Sequence, residues 1–149
     1  MDEIATIGSN HIVALFAPGE DALRKAASSG MASLVDFRTE GEKGLSFEKE
    51  RQVAETLGVN YFHFPVAAEA LSDELVDEFR RSLDDLPQPV FLHCASGRRA
   101  GAMTLMALAA DKGWDGDTAI AEGRKRGIDL GEEAIGQFVK KYADRKSGG

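Results

Sequence analysis

Among the 149 residues there is one cysteine, Cys94, and it stands in the run His93-Cys94-Ala95-Ser96-Gly97-Arg98-Arg99. A short apolar stretch, Val90-Phe91-Leu92, precedes the run, and a long one, residues 100–110, follows it. That order reads as a strand, a tight turn and a helix, with Ser96 and Gly97 supplying the turn. Backbone N–H groups in such a turn converge on an anion, and the helix N-terminus adds about half a positive charge. A thiol held there favours its thiolate, the nucleophilic form. The chemistry predicted is attack by Cys94 on an oxyanion cradled by the amides of Ala95, Ser96, Gly97 and Arg98. Arg99 would offer that anion a planar, bidentate fork. Arg98 would do the same or face solvent. His93 is expected to orient the loop through hydrogen bonds and not to act as a base. The competing reading is an inert core cysteine beside two solvated arginines. Two adjacent arginines at a helix N-terminus oppose the helix dipole, and an anion between them would explain their presence.

The elements that must position this loop follow from periodicity and turn chemistry. Residues 4–7 and 12–16 read as short strands joined across Gly8-Ser9-Asn10. Residues 20–28 read as a helix with Leu23, Ala26 and Ala27 on one face, closed by Gly30. A buried strand at 33–37, a helix at 47–57 stopped by Gly58, and a strand at 60–64 follow. Ser72 is the expected N-cap of the next helix, in which Leu75, Phe79 and Leu83 recur at helical spacing. The strand at 90–92 leads into the motif and the apolar helix. Two more helices are expected at 118–126, capped by Asp115 or Asp117, and at 132–142. Alternating strands and helices predict an α/β fold with a mostly parallel central sheet flanked by helices. In such sheets ligands bind beyond the carboxyl ends of the strands. Three polar clusters fall there: Asp36-Phe37-Arg38, the segment from His63 to Glu69, and the motif itself. Asp36 would support the site, and Arg38 would bind substrate or brace the loop. A purely structural alternative pairs Asp36 with Arg99 or Arg38 with a glutamate.

Composition narrows the partners. Hydrophobic residues make up 43% and charged residues 29%, a globular balance for one domain. We expect that domain to span residues 1–145, with a flexible tail at 146–149. The formal net charge of −7 argues against nucleic acid as a partner but leaves room for one basic pocket that takes a small anionic or phosphorylated substrate. A single thiol forms no intramolecular disulfide and no cysteine-rich zinc site. His11, His63 and His93 lack metal-ligand spacing, so neither a metal nor a cofactor is expected, and Asp115-Gly116-Asp117 does not match a calcium loop. The N-terminus lacks a signal-peptide pattern and the stretch 100–110 is too short to span a bilayer, so a cytoplasmic, membrane-free protein is expected. The oligomeric state is not fixed by the sequence.

The strand, H-C-x-x-G, arginine and helix arrangement resembles the active loop of the protein tyrosine and dual-specificity phosphatase superfamily. More closely, residues from about 12 to 110 resemble the bacterial phosphatase-like domain of beta-lactamase hydrolase-like proteins. The matching stretches are Leu34-Val35-Asp36-Phe37-Arg38, Gly58 through Val66, and Phe91 through Arg99. The resemblance implies a phosphatase-like fold and a Cys94 nucleophile that forms a phosphocysteine, with loop amides and the arginine on the phosphoryl oxygens. Three departures stand out. The superfamily arginine lies six positions after the cysteine, where this chain has Ala100, so Arg99 closes a shorter loop. That spacing resembles rhodanese-type sulfurtransferases, which carry a persulfide. Ala100 also replaces the Ser or Thr that often follows the arginine. The general-acid aspartate is missing: its position is Ala68, with Glu69 beside it as the candidate acid. The resemblance thus implies a cysteine-dependent phosphatase-like hydrolase, with a Cys94-persulfide sulfurtransferase and a non-catalytic anion-binding or redox-sensing module as alternatives.

Overall fold

Strand β5, Val90–His93, is buried at every position. It lies at the centre of a five-stranded sheet of order β1-β2-β5-β3-β4. The computed structural model describes residues 3–131 and 133–147. The outer strands are β1 (Ile4–Ile7), β2 (His11–Ala14), β3 (Ser33–Asp36) and β4 (Asn60–His63). β5 pairs in parallel with β2 and β3, and β3 in parallel with β4. Only β1 runs antiparallel, returning from β2 through the turn at residues 8–10. A central parallel strand is covered on both faces, which is why Val90-Phe91-Leu92 is continuously apolar.

Alternation along the strands sorts side chains onto two faces. Val13, Val35, Leu92 and Cys94 pack toward α3 (Asp73–Asp84), α4 (Arg98–Lys112), α5 (Gly116–Lys125) and α6 (Ala134–Ser147). Ala14, Leu34 and Phe91 face α1 (Glu20–Ser28) and α2 (Phe47–Leu57), meeting Leu23 and Val53. Helix α4 is buried at every residue from Ala100 to Ala109. A helix apolar all round belongs inside the molecule, and α3, α5 and α6 enclose this one.

The expected elements are all present, with altered ends. β3 stops at Asp36 and β4 at His63, each one residue short of the expected end. Ser72 caps α3, accepting from Leu75 N at 3.1 Å, while Val76, Phe79 and Leu83 form its buried face. Asp115, and not Asp117, caps α5, accepting from Thr118 N at 2.9 Å. α4 starts at Arg98, two residues earlier than the apolar run implied. Residue 132, the expected start of the last helix, lies outside the described residues, as do residues 1, 2, 148 and 149. α6 continues through Ser147, so residues 146 and 147 of the expected tail are helical. Arg145 Nε donates to Asp73 Oδ2 at 2.7 Å and Lys146 Nζ lies 3.1 Å from Asp77 Oδ1, so these basic residues tie α6 to α3. No helix among the described residues is long and apolar enough to cross a membrane.

Candidate active site

His93 and Cys94 are adjacent in sequence and therefore point to opposite faces of the sheet. Cys94 is fully buried at the start of the loop, and its Sγ accepts a hydrogen bond from Gly97 N at 3.1 Å. Gly97 has a φ of +98° and precedes the first turn of α4. A Cβ there would lie 2.8 Å from Ala14 O and Leu15 Cα, so the turn needs glycine both for its conformation and for its approach to β2. Ala95 is half-buried and Ser96 is exposed on the loop's outer side.

The two arginines diverge. Arg98 turns outward and pairs with Glu133. Arg99 turns inward, with a side chain 16% exposed. Its Nη1 donates to Val66 O at 2.9 Å and to Glu42 Oε2 at 2.8 Å, and its Nη2 pairs with Glu42 Oε1. Glu42 Oε2 also accepts from Thr39 N at 2.7 Å and Thr39 Oγ1 at 2.6 Å. The Arg99 guanidinium, helped by the Thr39 hydrogen bonds, holds the Glu42 carboxyl down at about 2. Glu69, the candidate acid, is exposed on a 3-10 turn, Ala68–Ala70, at the end of β4's outgoing loop, and its charge reaches Arg99.

On the far face of the sheet, behind the loop, four charged or titratable side chains are almost wholly buried: Asp36, Arg38, Glu50 and His93. Arg38 Nε and Nη2 grip Asp36 Oδ1 and Oδ2 at 2.9 and 2.7 Å. Nη2 also reaches Glu50 Oε1 at 3.1 Å, and Nη1 donates to Lys43 O at 2.9 Å. Glu50 Oε2 lies 2.6 Å from His93 Nε2. Tyr61 Oη donates to Asp36 Oδ2 at 2.9 Å, and His63 Nε2 meets Arg38 O at 2.7 Å. Burial pushes the Asp36 carboxyl up, but the Arg38 hydrogen bonds outweigh it and hold the group below the usual carboxylate range. Burial, then the Asp36 charge, pushes the Tyr61 hydroxyl well up.

Asp36, Glu50 and His93 bring potential metal ligands within 4.8 Å of one another. The Arg38 guanidinium is bonded to both carboxylates, so the place a cation would take already holds one. The cluster is an ion-pair network that fixes the last residues of β3 and β5.

Two roles were expected of Arg38, binding substrate or bracing the loop, and its geometry suits the second. It is 2% exposed with all three guanidinium nitrogens engaged, and it braces the strand ends. Of the structural pairings weighed for this region, Arg38 with a glutamate is present, whereas Asp36 does not pair with Arg99. Arg99 lies within electrostatic reach of Cys94, with His93 behind the loop and Glu69 at the rim, while Arg98 and Ser96 face outward. Sequence reasoning missed Glu42 and Glu50. Glu50 was legible: with Val53 and Ala54 it falls on the apolar face of α2, where an unpartnered glutamate would be costly. Glu42 sits in a loop without periodicity, and nothing in the sequence ties it to Arg99.

A sequence model of the beta-lactamase hydrolase-like protein, phosphatase-like domain, matches residues 6–111. The beta-lactamase hydrolase-like protein of Xylella fastidiosa (strain Temecula1) is 27% identical over 116 residues, which cover 76% of this chain and 27% of that protein. Its counterpart in Agrobacterium fabrum is 24% identical over 106 residues, 70% of this chain and 25% of the other. The chain thus spans about a quarter of the length of these relatives. Among solved structures, a phosphatase candidate of Neisseria meningitidis Z2491 superposes with a TM-score of 0.79 at 22% identity, covering 93% of this chain and 97% of that one. Pseudomonas aeruginosa TpbA gives 0.77 at 18% identity, with 98% and 89% covered. Its cysteine-to-serine variant, solved in complex with pTyr, gives 0.73 at 17%, with 98% and 91% covered. These likenesses establish a phosphatase-like fold.

Proposed function

From the premise that this chain belongs to the family of phosphatase-like domains of beta-lactamase hydrolase-like proteins, we propose that it is a cysteine-dependent phosphatase acting on small phosphomonoesters. The observation that carries the reading is the loop itself. Cys94 Sγ lies 3.1 Å from Gly97 N at the start of α4, with the inward-turned Arg99 beside it. The Cys94 thiolate attacks phosphorus, a P–S bond forms, and the P–O bond to the leaving group breaks. Loop amides from Ala95 to Arg99 hold the phosphoryl oxygens, and Arg99 balances the charge that develops on them. Glu69 gives its proton to the departing oxygen. Water then attacks phosphorus as Glu69 takes back a proton from it, the P–S bond breaks, and the thiolate and inorganic phosphate are released. His93 contributes by holding the loop base against Glu50, not by moving protons to substrate. The pTyr bound to the TpbA variant supports a phosphorylated substrate for this fold.

The five-residue spacing from Cys94 to Arg99 favours a second reading, in which the smaller cradle holds a Cys94 persulfide. Intact mass after separate exposure to an aryl phosphate, with acid quench, and to thiosulfate separates the two, using Cys94→Ser as control. A cysteine-dependent phosphoryl adduct is expected. A gain of one sulfur with no phosphoryl adduct would replace phosphatase with sulfurtransferase. No adduct from either reagent would leave a non-catalytic anion-binding or redox module.

A further inference from the structure

The two faces of the sheet are covered unequally. On the face of α3 to α6, Ala5 and Ile7 of β1 are buried. The other face carries α1 and α2. Two helices, each about 10 Å across, cover roughly four strands spaced about 4.8 Å apart, and the sheet has five. The strand left over is β1: Ile4 and Thr6, which alternate onto this face, are exposed. Ile4, at 53%, is the one exposed large hydrophobic side chain among the described residues. Between α1 and β1 lies a groove of about 320 Å³. Buried Phe91 and Ala26 and half-buried Ile12, Phe16 and Met31 give it an apolar lining. Ala22, Lys25, Ala26 and Ser29 contribute along one face of α1, and Lys25 is the sole charged residue of the lining. Glu20, at the start of α1, is taken by Arg24 at 2.6 Å and Lys49 at 3.7 Å. Among the described residues no carboxylate lies within ion-pair distance of Lys25, in a chain of net charge −7.

We propose that this groove binds a single-chain alkyl carboxylate, its chain against Phe91 and Ile12 and its carboxylate on Lys25. A water's share of liquid volume is about 30 Å³ and a methylene takes about the same room, so the groove suits a chain of roughly eight to ten carbons. A purely polar anion would leave the apolar lining wet, and a hydrocarbon without a head group would leave Lys25 unused. One effect opposes the assignment: Lys25 lies in the last turn of α1, whose negative end repels an anion. The carbonyls there are already engaged, Lys25 O and Ala26 O by Ser29 N and Ala27 O by Gly30 N. A full ammonium charge also exceeds the half charge of a helix end. A second copy of the chain fits less well. A stable protein interface buries about 800 Å² per partner, far more than one exposed isoleucine beside a small groove supplies. Strand addition along β1 is opposed as well, because Arg126 Nε donates to Thr6 O on its outer edge at 3.1 Å.

Calorimetric titration with octanoate, below the concentration at which it forms micelles, tests the proposal on the wild type, Lys25→Gln, Ala22→Phe and Ile4→Ser. Cooperative urea unfolding shows whether each variant is folded. Saturable binding of one octanoate per chain is expected. Each methylene added from hexanoate to octanoate should tighten binding by a factor of roughly two to four. Lys25→Gln should weaken octanoate about threefold to fivefold and leave uncharged octanol unchanged. Ala22→Phe, which puts a ring into the groove, should abolish binding. Should that variant fail to fold, Ile4→Ser, at an exposed position, should still weaken octanoate severalfold. Protection of Cys94 from iodoacetamide reads occupancy of the anion loop, where inorganic phosphate is expected, and octanoate should give none. Absence of octanoate binding, equal losses for octanoate and octanol in Lys25→Gln, or protection of Cys94 by octanoate would each overturn the proposal. A wild-type dimer that Ala22→Phe dissolves, without octanoate binding, would overturn it too, by giving the groove to a second copy.

Discussion

Glu50 Oε2 lies 2.6 Å from His93 Nε2, and neither side chain is exposed. This pair ties the middle of α2 to the last residue of β5, the residue before the nucleophile. Because His93 and Cys94 alternate across the sheet, the pair holds the loop from behind without occupying the cradle. Glu50 also pairs with buried Arg38, and removing one partner of a buried ion pair leaves the other uncompensated, at a cost of roughly 3–5 kcal/mol. Glu50→Ala should therefore lose about that much unfolding free energy in urea, and Glu50→Gln, which keeps the shape and one acceptor, distinctly less. An Ala variant no less stable than a substitution at exposed Glu55 would show that the network does not support the fold.

Gly97 carries a second expectation. Its left-handed backbone costs a side-chain-bearing residue about 1–2 kcal/mol, and the added Cβ would meet backbone atoms of Ala14 and Leu15 that have no room to yield. Gly97→Ala should be destabilised by at least the conformational cost. It should also lose phosphate protection of Cys94, because relieving the contact moves the amide now 3.1 Å from Sγ. The same substitution at Gly30, also at positive φ but with nothing within 4 Å of its Cβ, should cost only the backbone part. Equal stability losses at the two positions would remove the steric half of the argument.

The pH dependence follows from Glu42. Its carboxyl titrates at about 2 in the folded chain, against about 4.3 for an unperturbed glutamate. A depressed folded value means that the stabilisation is fully present above the unfolded value and is lost as pH falls through the folded one. Wild type should therefore exceed Glu42→Gln in stability at neutral pH, with the difference shrinking between about pH 4.5 and 2. The check is the urea midpoint of both proteins across that range. A difference that stays constant with pH would mean that the ionised carboxylate is not what Arg99 holds.

How much of this was legible depended on sequence distance. Local signals were enough for α1 and α2, where helical periodicity meets a glycine stop, and for β5, the loop and α4, where apolar run, turn and apolar run are contiguous. The site's supporting contacts were not local. Glu42 and Arg99 lie 57 residues apart, and Glu50 and His93 lie 43 apart. A strand-end position brought Arg38 near the site in a sequence reading, but its direction is set by Glu50 on α2, which strand periodicity does not report. Lys146 looked like part of a flexible tail because the aspartate that holds it, Asp77, belongs to a helix some seventy residues earlier.

Glu69 is the residue on which the catalytic reading is most exposed. The resemblance to the phosphatase superfamily implies Ala68 at the general-acid position, and Glu69 stands next to it on the 3-10 turn, with its charge felt by Arg99. If Glu69 protonates the leaving oxygen, its contribution should scale with the basicity of that oxygen. General-acid catalysis contributes typically ~10²–10⁴-fold, so Glu69→Gln should lower kcat for alkyl phosphates within that range. An aryl phosphate with a strongly acidic phenol leaves without help and should be slowed far less. The rate of phosphocysteine formation on that aryl ester should barely change. Equal, small effects on both substrate classes would make Glu69 a solvated loop carboxylate and leave leaving-group protonation to water.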